Sequence, residues 1–468
     1  MPNLKSHQQS VLDKLRNQDA LLVYHNTGSG KTLTSLMAGK QEDLDLTVIG
    51  PASLKYNFAK EKATYKLSKP KVDYYTYSKP PSDDIEKLKL KDRLLVFDEA
   101  HLMGRLESER SKYSDRYKGK KQLLLTATPI RNEPSELIPL LRGLNVPIPR
   151  DRKIFEEKFI EKRKISAPLL PRIFFGVKPG QELTPKNLSV LKKLVAGKVD
   201  YHMSHEGYPD VKEESFKVPM SKVQQSVYEA MVKSKGNPGL LYKIRHGLPP
   251  SKAESKNLNA FLSATRQISN TPSGFTTKSV TEADEPKINK IIKEIKDRSE
   301  TDKNYKGVTY SNYLASGVDL LEPRLKSLGI PYAKFTGKLS ATEKKDIVNR
   351  YNKGKVKQLL ISSAGAEGLD LKGTKLLQIM EPHWNEPKLE QVKGRVSRIG
   401  SHKNLPKVEQ NVTVQHFYSK LNPKGLFKKQ YMSADEYLAT MAKKKESLNK
   451  QFLNILKEAA QRAFDKPK

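Results

Sequence analysis

The stretch Leu21-Leu22-Val23-Tyr24-His25-Asn26-Thr27-Gly28-Ser29-Gly30-Lys31-Thr32 decides the fold. An apolar run of strand length leads into a glycine-rich turn, and the turn leads into helix-compatible sequence from Leu33 to Lys40. That is the context a phosphate-binding loop requires. Gly28 and Gly30, interleaved with Thr27 and Ser29, let the backbone curl so that its N–H groups and the following helix N-terminus face phosphate. Lys31 is expected to reach the β- and γ-phosphates of ATP, and the Thr32 hydroxyl to ligate Mg²⁺. The general pattern carries a glycine where this chain has His25, which is its one departure.

Working outward, a second chemical signal follows the apolar run Leu94-Leu95-Val96-Phe97 in the tetrapeptide Asp98-Glu99-Ala100-His101. Two adjacent carboxylates at a strand end repel each other, and a divalent cation relieves that repulsion. Asp98 is therefore the expected Mg²⁺ holder and Glu99 the general base for the attacking water. Around these motifs, Ala20 to Tyr24, Leu46 to Ile49, Lys71 to Tyr75, Leu94 to Phe97 and Gln122 to Leu125 read as buried parallel strands joined by helices. A second such series runs through Gly307 to Tyr310, Pro331 to Phe335, Gln358 to Ser362, Lys375 to Met380 and Val412 to Phe417. The expected fold class is α/β, with two doubly wound parallel-sheet domains. The expected domains are 1–150, an accessory region and linker over 151–285, a second α/β lobe over 286–425 and a helical extension over 426–468. Ser433 and Glu436 form the capping box that starts the last helix.

The chain has 468 residues, enough for two or three domains, and 36% of them are hydrophobic. Its 86 Lys and Arg outnumber 52 Asp and Glu, and the surplus of +34 suits a polyanion such as nucleic acid. With no cysteine and nine scattered histidines, disulfides and thiolate metal sites are excluded. The N-terminus lacks an apolar signal core, and no apolar run is long enough to span a bilayer. A soluble, intracellular protein without membrane partners is expected.

Together these residues resemble superfamily-two helicases, across both lobes. In that family Gln8 stands where a glutamine reads adenine. Pro51, Ala52 and Ser53, with Thr76 and Tyr77, look like first-lobe nucleic-acid contacts, and Thr126-Ala127-Thr128 matches the motif coupling ATP state to lobe movement. Gln391, Arg395 and Arg398 resemble the arginine-finger motif, and the spacing of the two arginines places them on one helical face. In Ser362-Ser363-Ala364-Gly365-Ala366-Glu367-Gly368-Leu369-Asp370, Gly368 and Asp370 are expected to approach nucleotide while Ser362 and Ser363 touch the strand.

Trp384-Asn385, upstream of Gln391, and Arg266 to Pro272 are similar to Swi/Snf-type duplex translocases. Val199-Asp200-Tyr201, Tyr208-Pro209, Val218-Pro219-Met220-Ser221 and Ser401-His402 are similar to helicase-like ATPases of large DNA viruses, including the poxvirus early transcription factor's ATPase subunit. The resemblance implies two RecA-like lobes, ATP and Mg²⁺ as cofactors, and hydrolysis completed as the lobes close. It further implies translocation on duplex DNA in viral transcription or genome handling, in host cytoplasm or virion, with RNA polymerase or another transcription-factor subunit as a possible partner. Two alternatives remain open: an ATP-dependent RNA helicase, which shares the Asp-Glu-Ala-His tetrapeptide, and a non-hydrolysing ATP-gated scaffold that recruits RNA polymerase.

Overall fold

The computed structural model describes residues 2–81, 89–204, 206–235, 237–251, 253–362, 369–382, 386–423 and 429–461. Its contacts divide into two compact units, one comprising Met1–Lys162, Leu183–Ser204 and Lys445–Lys468, the other Arg163–Glu182 and His205–Lys444. Each is built on a parallel RecA-like sheet, with helical additions.

The first unit carries β1 (Ala20–His25), β2 (Asp45–Gly50), β3 (Val72–Thr76), β4 (Arg93–Asp98), β5 (Lys121–Thr126) and, from the middle region, β8 (Val199–His202). They lie in the order β3-β2-β4-β5-β1-β8. Alternate side chains serve opposite faces of this sheet. Leu22, Tyr24, Leu95, Phe97 and Leu124 enter one core. Leu21, Val23, Leu94, Val96, Leu123 and Leu125 enter the other. Covered on both sides, these strands read as unbroken apolar runs. The strand order also positions the chemistry, because β5 lies between β4 and β1, so Asp98, Thr126 and His25 end up along one C-terminal edge.

The second unit carries β9 (Asp210–Pro219), β10 (Gly307–Ser311), β11 (Tyr332–Phe335), β12 (Gln358–Ser362), β13 (Leu376–Ile379) and β14 (Asn411–Lys420), in the order β11-β12-β10-β13-β14-β9. Its sheet is likewise parallel, β9 running beside β14 from Asp210 to Pro219. A small two-stranded sheet pairs β6 (Ile160–Ile165) with β7 (Gly180–Pro185).

Every strand expected from the apolar runs is present, with β14 the most extended beyond its expected limits. The middle region adds an edge strand to each sheet, β8 beside β1 and β9 beside β14. The C-terminal helix Ala434–Gln461 is divided too. Tyr437, Leu438 and Met441 pack in a core of the second unit, and Leu448, Phe452, Leu456 and Ala459 in a core of the first. Its start is capped as expected, Ser433 N–H donating to Glu436 Oε2 at 3.1 Å and Glu436 N–H to Ser433 Oγ at 3.1 Å. Among the described residues, no helix is long and apolar enough to cross a membrane.

Candidate active site

The loop after β1 turns sharply into the helix Lys31–Gln41, with Gly28 and Gly30 both at φ 82°. Gly30 is required twice over: besides the left-handed backbone, a Cβ there would lie 2.5 Å from Gln8 Nε2. Gln8 is buried against the loop, its Nε2 donating to Gly30 O at 3.4 Å while its Oε1 accepts from Lys5 N–H at 2.9 Å. Lys31 Nζ donates to the carbonyls of His25 (3.0 Å) and Asn26 (2.9 Å). Burial lowers the Lys31 pKa, and the charges of Glu99 and Asp98 oppose that shift. The buried Ser29 hydroxyl has no protein partner. An unsatisfied oxygen in a glycine cradle at a helix N-terminus suits phosphate.

At the end of β4, Asp98 is buried, and its carboxyl is pushed up to about 6 by burial and then by Glu99, with Lys31 and the Glu99 N–H pulling the other way. Glu99 sits at φ 52°, a left-handed conformation that costs a residue with a Cβ about 1–3 kcal/mol and is held here by its surroundings. His101 Nδ1 faces Thr126 Oγ1 (2.9 Å), Glu99 Oε2 (3.3 Å) and Thr128 Oγ1 (3.4 Å). The tautomer with its proton on Nδ1 satisfies the carboxylate among these oxygens. Burial, followed by the charges of Arg131 and Lys31, pulls the His101 pKa down to about 3, so the ring is neutral at pH 7. The acidic tetrapeptide and the Thr126-Ala127-Thr128 turn are thereby joined through one imidazole, and Ala127 lies half-buried between the two threonines.

The donor set fits Mg²⁺ chemically, because Asp98 and Glu99 are a crowded carboxylate pair whose mutual repulsion a cation removes. Thr32, at the start of the loop helix, supplies a hydroxyl of the type that completes such a shell.

The remaining expected residues fall less uniformly. Ala52 and Ser53 are exposed on a short 3-10 turn, Pro51 is half-buried with its carbonyl accepting from Tyr74 OH at 2.8 Å, and Thr76 Oγ1 accepts from Lys79 N–H at 3.0 Å. Tyr77 is a correction. Its ring is in the core, stacked on Tyr113 at 6.2 Å between centroids, and its backbone is engaged too, the N–H donating to Gly50 O at 3.3 Å and the carbonyl accepting from Tyr113 OH at 3.1 Å.

In the second unit Ser362 is buried at the end of β12, while Ser363 and Gly368 lie outside the described residues, as do Trp384 and Asn385. Gln391 and Arg395 are on the helix Glu386–Val396. Arg398 lies beyond that helix, so the shared helical face expected of the two arginines is also corrected. The helix ends at Val396, and Arg398 Nη1 instead stands 3.8 Å from the Asp370 carboxylate.

His25 gives more than a missing glycine suggested. It is fully buried, with Nε2–H donating to Asp200 Oδ1 at 2.6 Å, and Asp200 also accepts from Ser10 Oγ (2.6 Å) and pairs with Lys14 Nζ (2.9 Å). Burial alone would raise the Asp200 pKa, but these hydrogen bonds outweigh it and hold the carboxyl at about 2. The same burial lowers the His25 pKa, and its unpartnered Nδ1 agrees with a neutral ring. His7 Nε2–H donates to Ser29 O at 2.9 Å, and its ring stacks on His202 at 3.9 Å. The phosphate loop is thus anchored to β8 by a histidine cluster whose members are far apart in sequence. Tyr56, exposed beside Ala52 and Ser53, is a further candidate contact that no motif indicated.

Comparison with known proteins completes the description. The SNF2-related domain model matches residues 39–274, and the helicase conserved C-terminal domain model matches 286–400. A protein of Acanthamoeba polyphaga mimivirus, provisionally described as an ATP-dependent RNA helicase, is 34% identical over 98% of this chain and 97% of its own length. A termination factor NPH-I homolog of African swine fever virus is 25% identical over 95% of this chain and 76% of its own. Among solved structures, the Sulfolobus solfataricus SWI2/SNF2 ATPase core in complex with dsDNA covers 90% of this chain and 88% of its own, at 20% identity and a TM-score of 0.36.

Proposed function

We propose, from the premise that this chain belongs to the SNF2-related family of helicase-type ATPases, that it is a motor driven along nucleic acid by ATP hydrolysis in a transcription setting. The family is one of superfamily-two enzymes that hydrolyse ATP and remodel nucleic acid. The observation that carries the reading is the joined cluster of Lys31, Asp98, Glu99, His101 and Thr126 along one sheet edge.

In the proposed cycle, the loop N–H groups and Lys31 hold the ATP phosphates, and Gln8 reads the adenine. Thr32 and Asp98 would hold Mg²⁺, which when bound would neutralise charge on the phosphoryl group. Glu99 accepts the proton of the attacking water, and neutral His101 aims its carboxylate. Because His101 also touches Thr126 and Thr128, a change at Glu99 passes directly into that turn. Arg395 and Arg398 act as finger arginines, and Gly368 and Asp370 approach the nucleotide. The exposed residues Ala52 and Ser53, with Thr76 and Ser363, grip the strand, and buried Ser362 positions the segment that follows it.

Two findings support different tracks. The SNF2-related match favours duplex DNA, and it spans half the chain. The description of the mimivirus relative favours RNA, and a second mimivirus relative, 27% identical over 86% of this chain, carries the same description. Those descriptions speak to the polymer itself, so the relatives support an RNA substrate better than duplex DNA, and either ahead of a non-hydrolysing scaffold. RNA polymerase or another transcription-factor subunit is the proposed partner, as the termination-factor relative suggests.

Steady-state ATP turnover with duplex DNA, single-stranded DNA and RNA, each over a salt series, tests the proposal. Stimulation by at least one polymer, lost steeply as salt rises because phosphate contacts dominate, is expected. Stimulation by RNA alone removes the duplex reading, and turnover indifferent to every polymer removes the motor.

A further inference from the structure

Residues Leu169–Phe175, with the sequence Leu-Leu-Pro-Arg-Ile-Phe-Phe, form a helix of the second unit that has no buried residue. Leu169, Leu170, Ile173 and Phe174 are 64–73% exposed. Leu169 with Ile173, and Leu170 with Phe174, are i, i+4 pairs, so the four make one continuous apolar face. The helix is nonetheless firmly placed. Buried Ala167 and Val177 flank it, Gly176 at φ 60° ends it, and the Phe175 ring stacks on Tyr242 at 6.2 Å. Contiguous apolar surface on the order of a few hundred Å² on a held element marks an interaction site.

The charge around this face says what fits it. Arg163, Lys164, Arg172 and Lys178 are all exposed, while the segment's one carboxylate, Glu182, is taken by Lys444 Nζ at 2.9 Å. A second copy of this chain would bring a cationic rim against a cationic rim, on a protein that already carries +34. Phosphate backbones suit the rim but leave four large apolar side chains in water. We propose that the helix Leu169–Phe175 is a docking face for a segment of a partner protein that presents an apolar stripe flanked by Asp and Glu, the helix-in-groove or helix-on-helix mode of recognition. None of its residues is among those assigned to the ATP site.

The test is fluorescence anisotropy with the full chain and a labelled synthetic amphipathic peptide of about 18 residues, Leu and Phe on one face and Asp and Glu along its flanks. Saturable binding is expected, weakened about tenfold or more in an Ile173→Ser/Phe174→Ser variant and again in an Arg172→Glu/Lys178→Glu variant. ATP turnover and thermal midpoint should stay at the unmodified level in both, because the altered side chains are exposed. The same peptide with Lys replacing Asp and Glu should not bind. Absence of binding, or binding unchanged by either pair of substitutions, overturns the proposal. So does displacement of the peptide by phosphatidylcholine–phosphatidylserine vesicles or by duplex DNA, and so does a fall in thermal midpoint in the apolar variant, which would make the face structural.

Discussion

His101 shows how one side chain carries several duties. Its neutral ring holds the Glu99 carboxylate, touches both threonines of the following motif and tolerates burial only while uncharged. The unfolded imidazole titrates near 6.5, whereas the folded one is held down to about 3. Between those values the unfolded state binds one more proton, so stability is present above about pH 6.5 and is lost progressively as pH falls. At pH 5 the loss from this one group is about 2 kcal/mol. Urea unfolding at pH 7.5 and pH 5 should therefore show a smaller acid penalty in His101→Gln than in the unmodified chain. Equal penalties would mean that the ring is not buried uncharged.

At the scale of elements, the second unit is locked by an ion pair rather than by apolar contact alone. Lys287, in the helix Pro286–Thr301, donates to Asp435 Oδ2 at 2.7 Å, with both side chains fully buried. Asp435 also accepts from Ser419 N–H on β14, and Lys287 reaches Asn270 Oδ1 at 3.2 Å. Asp435→Ala leaves a buried cation without its partner and should cost about 3–5 kcal/mol, while Lys287→Met/Asp435→Leu should cost much less. Equal losses in the two variants, measured by denaturant unfolding, would contradict a pair held mainly by mutual compensation.

Lys287 does not stand out in the sequence, and that marks the limit of what was legible. The strands that lead into the phosphate loop and the acidic tetrapeptide were readable because each is buried on both faces and written largely in Leu, Val and Phe, as in Leu94 to Phe97. β9 was not, because Asp210 to Pro219 is an edge strand with exposed Lys and Glu, and its alternation is masked by charge. β8 is too short to signal itself, yet its Asp200 anchors His25. The phosphate loop and the acidic tetrapeptide were legible because their chemistry demands residue types at fixed spacing. The Tyr77 ring was misplaced because a resemblance in motif does not say where a core closes, and Arg398 because a three-residue interval does not say where a helix ends.

At the scale of the whole molecule, the +34 charge supplies attraction to a polyanion, and the two RecA-like sheets supply the machinery that spends ATP on it. Charge alone would give a passive binder, whose affinity depends on salt but not on nucleotide. The account requires binding and turnover to be separable at one carboxylate. The most direct test is ATP turnover of Glu99→Gln at saturating nucleic acid, measured beside nucleotide binding and nucleic-acid binding by the same preparation. Turnover about a hundredfold or more below the unmodified chain, with both binding steps retained, is the expected result. Turnover close to that of the unmodified chain would contradict the assignment of this cluster as the engine.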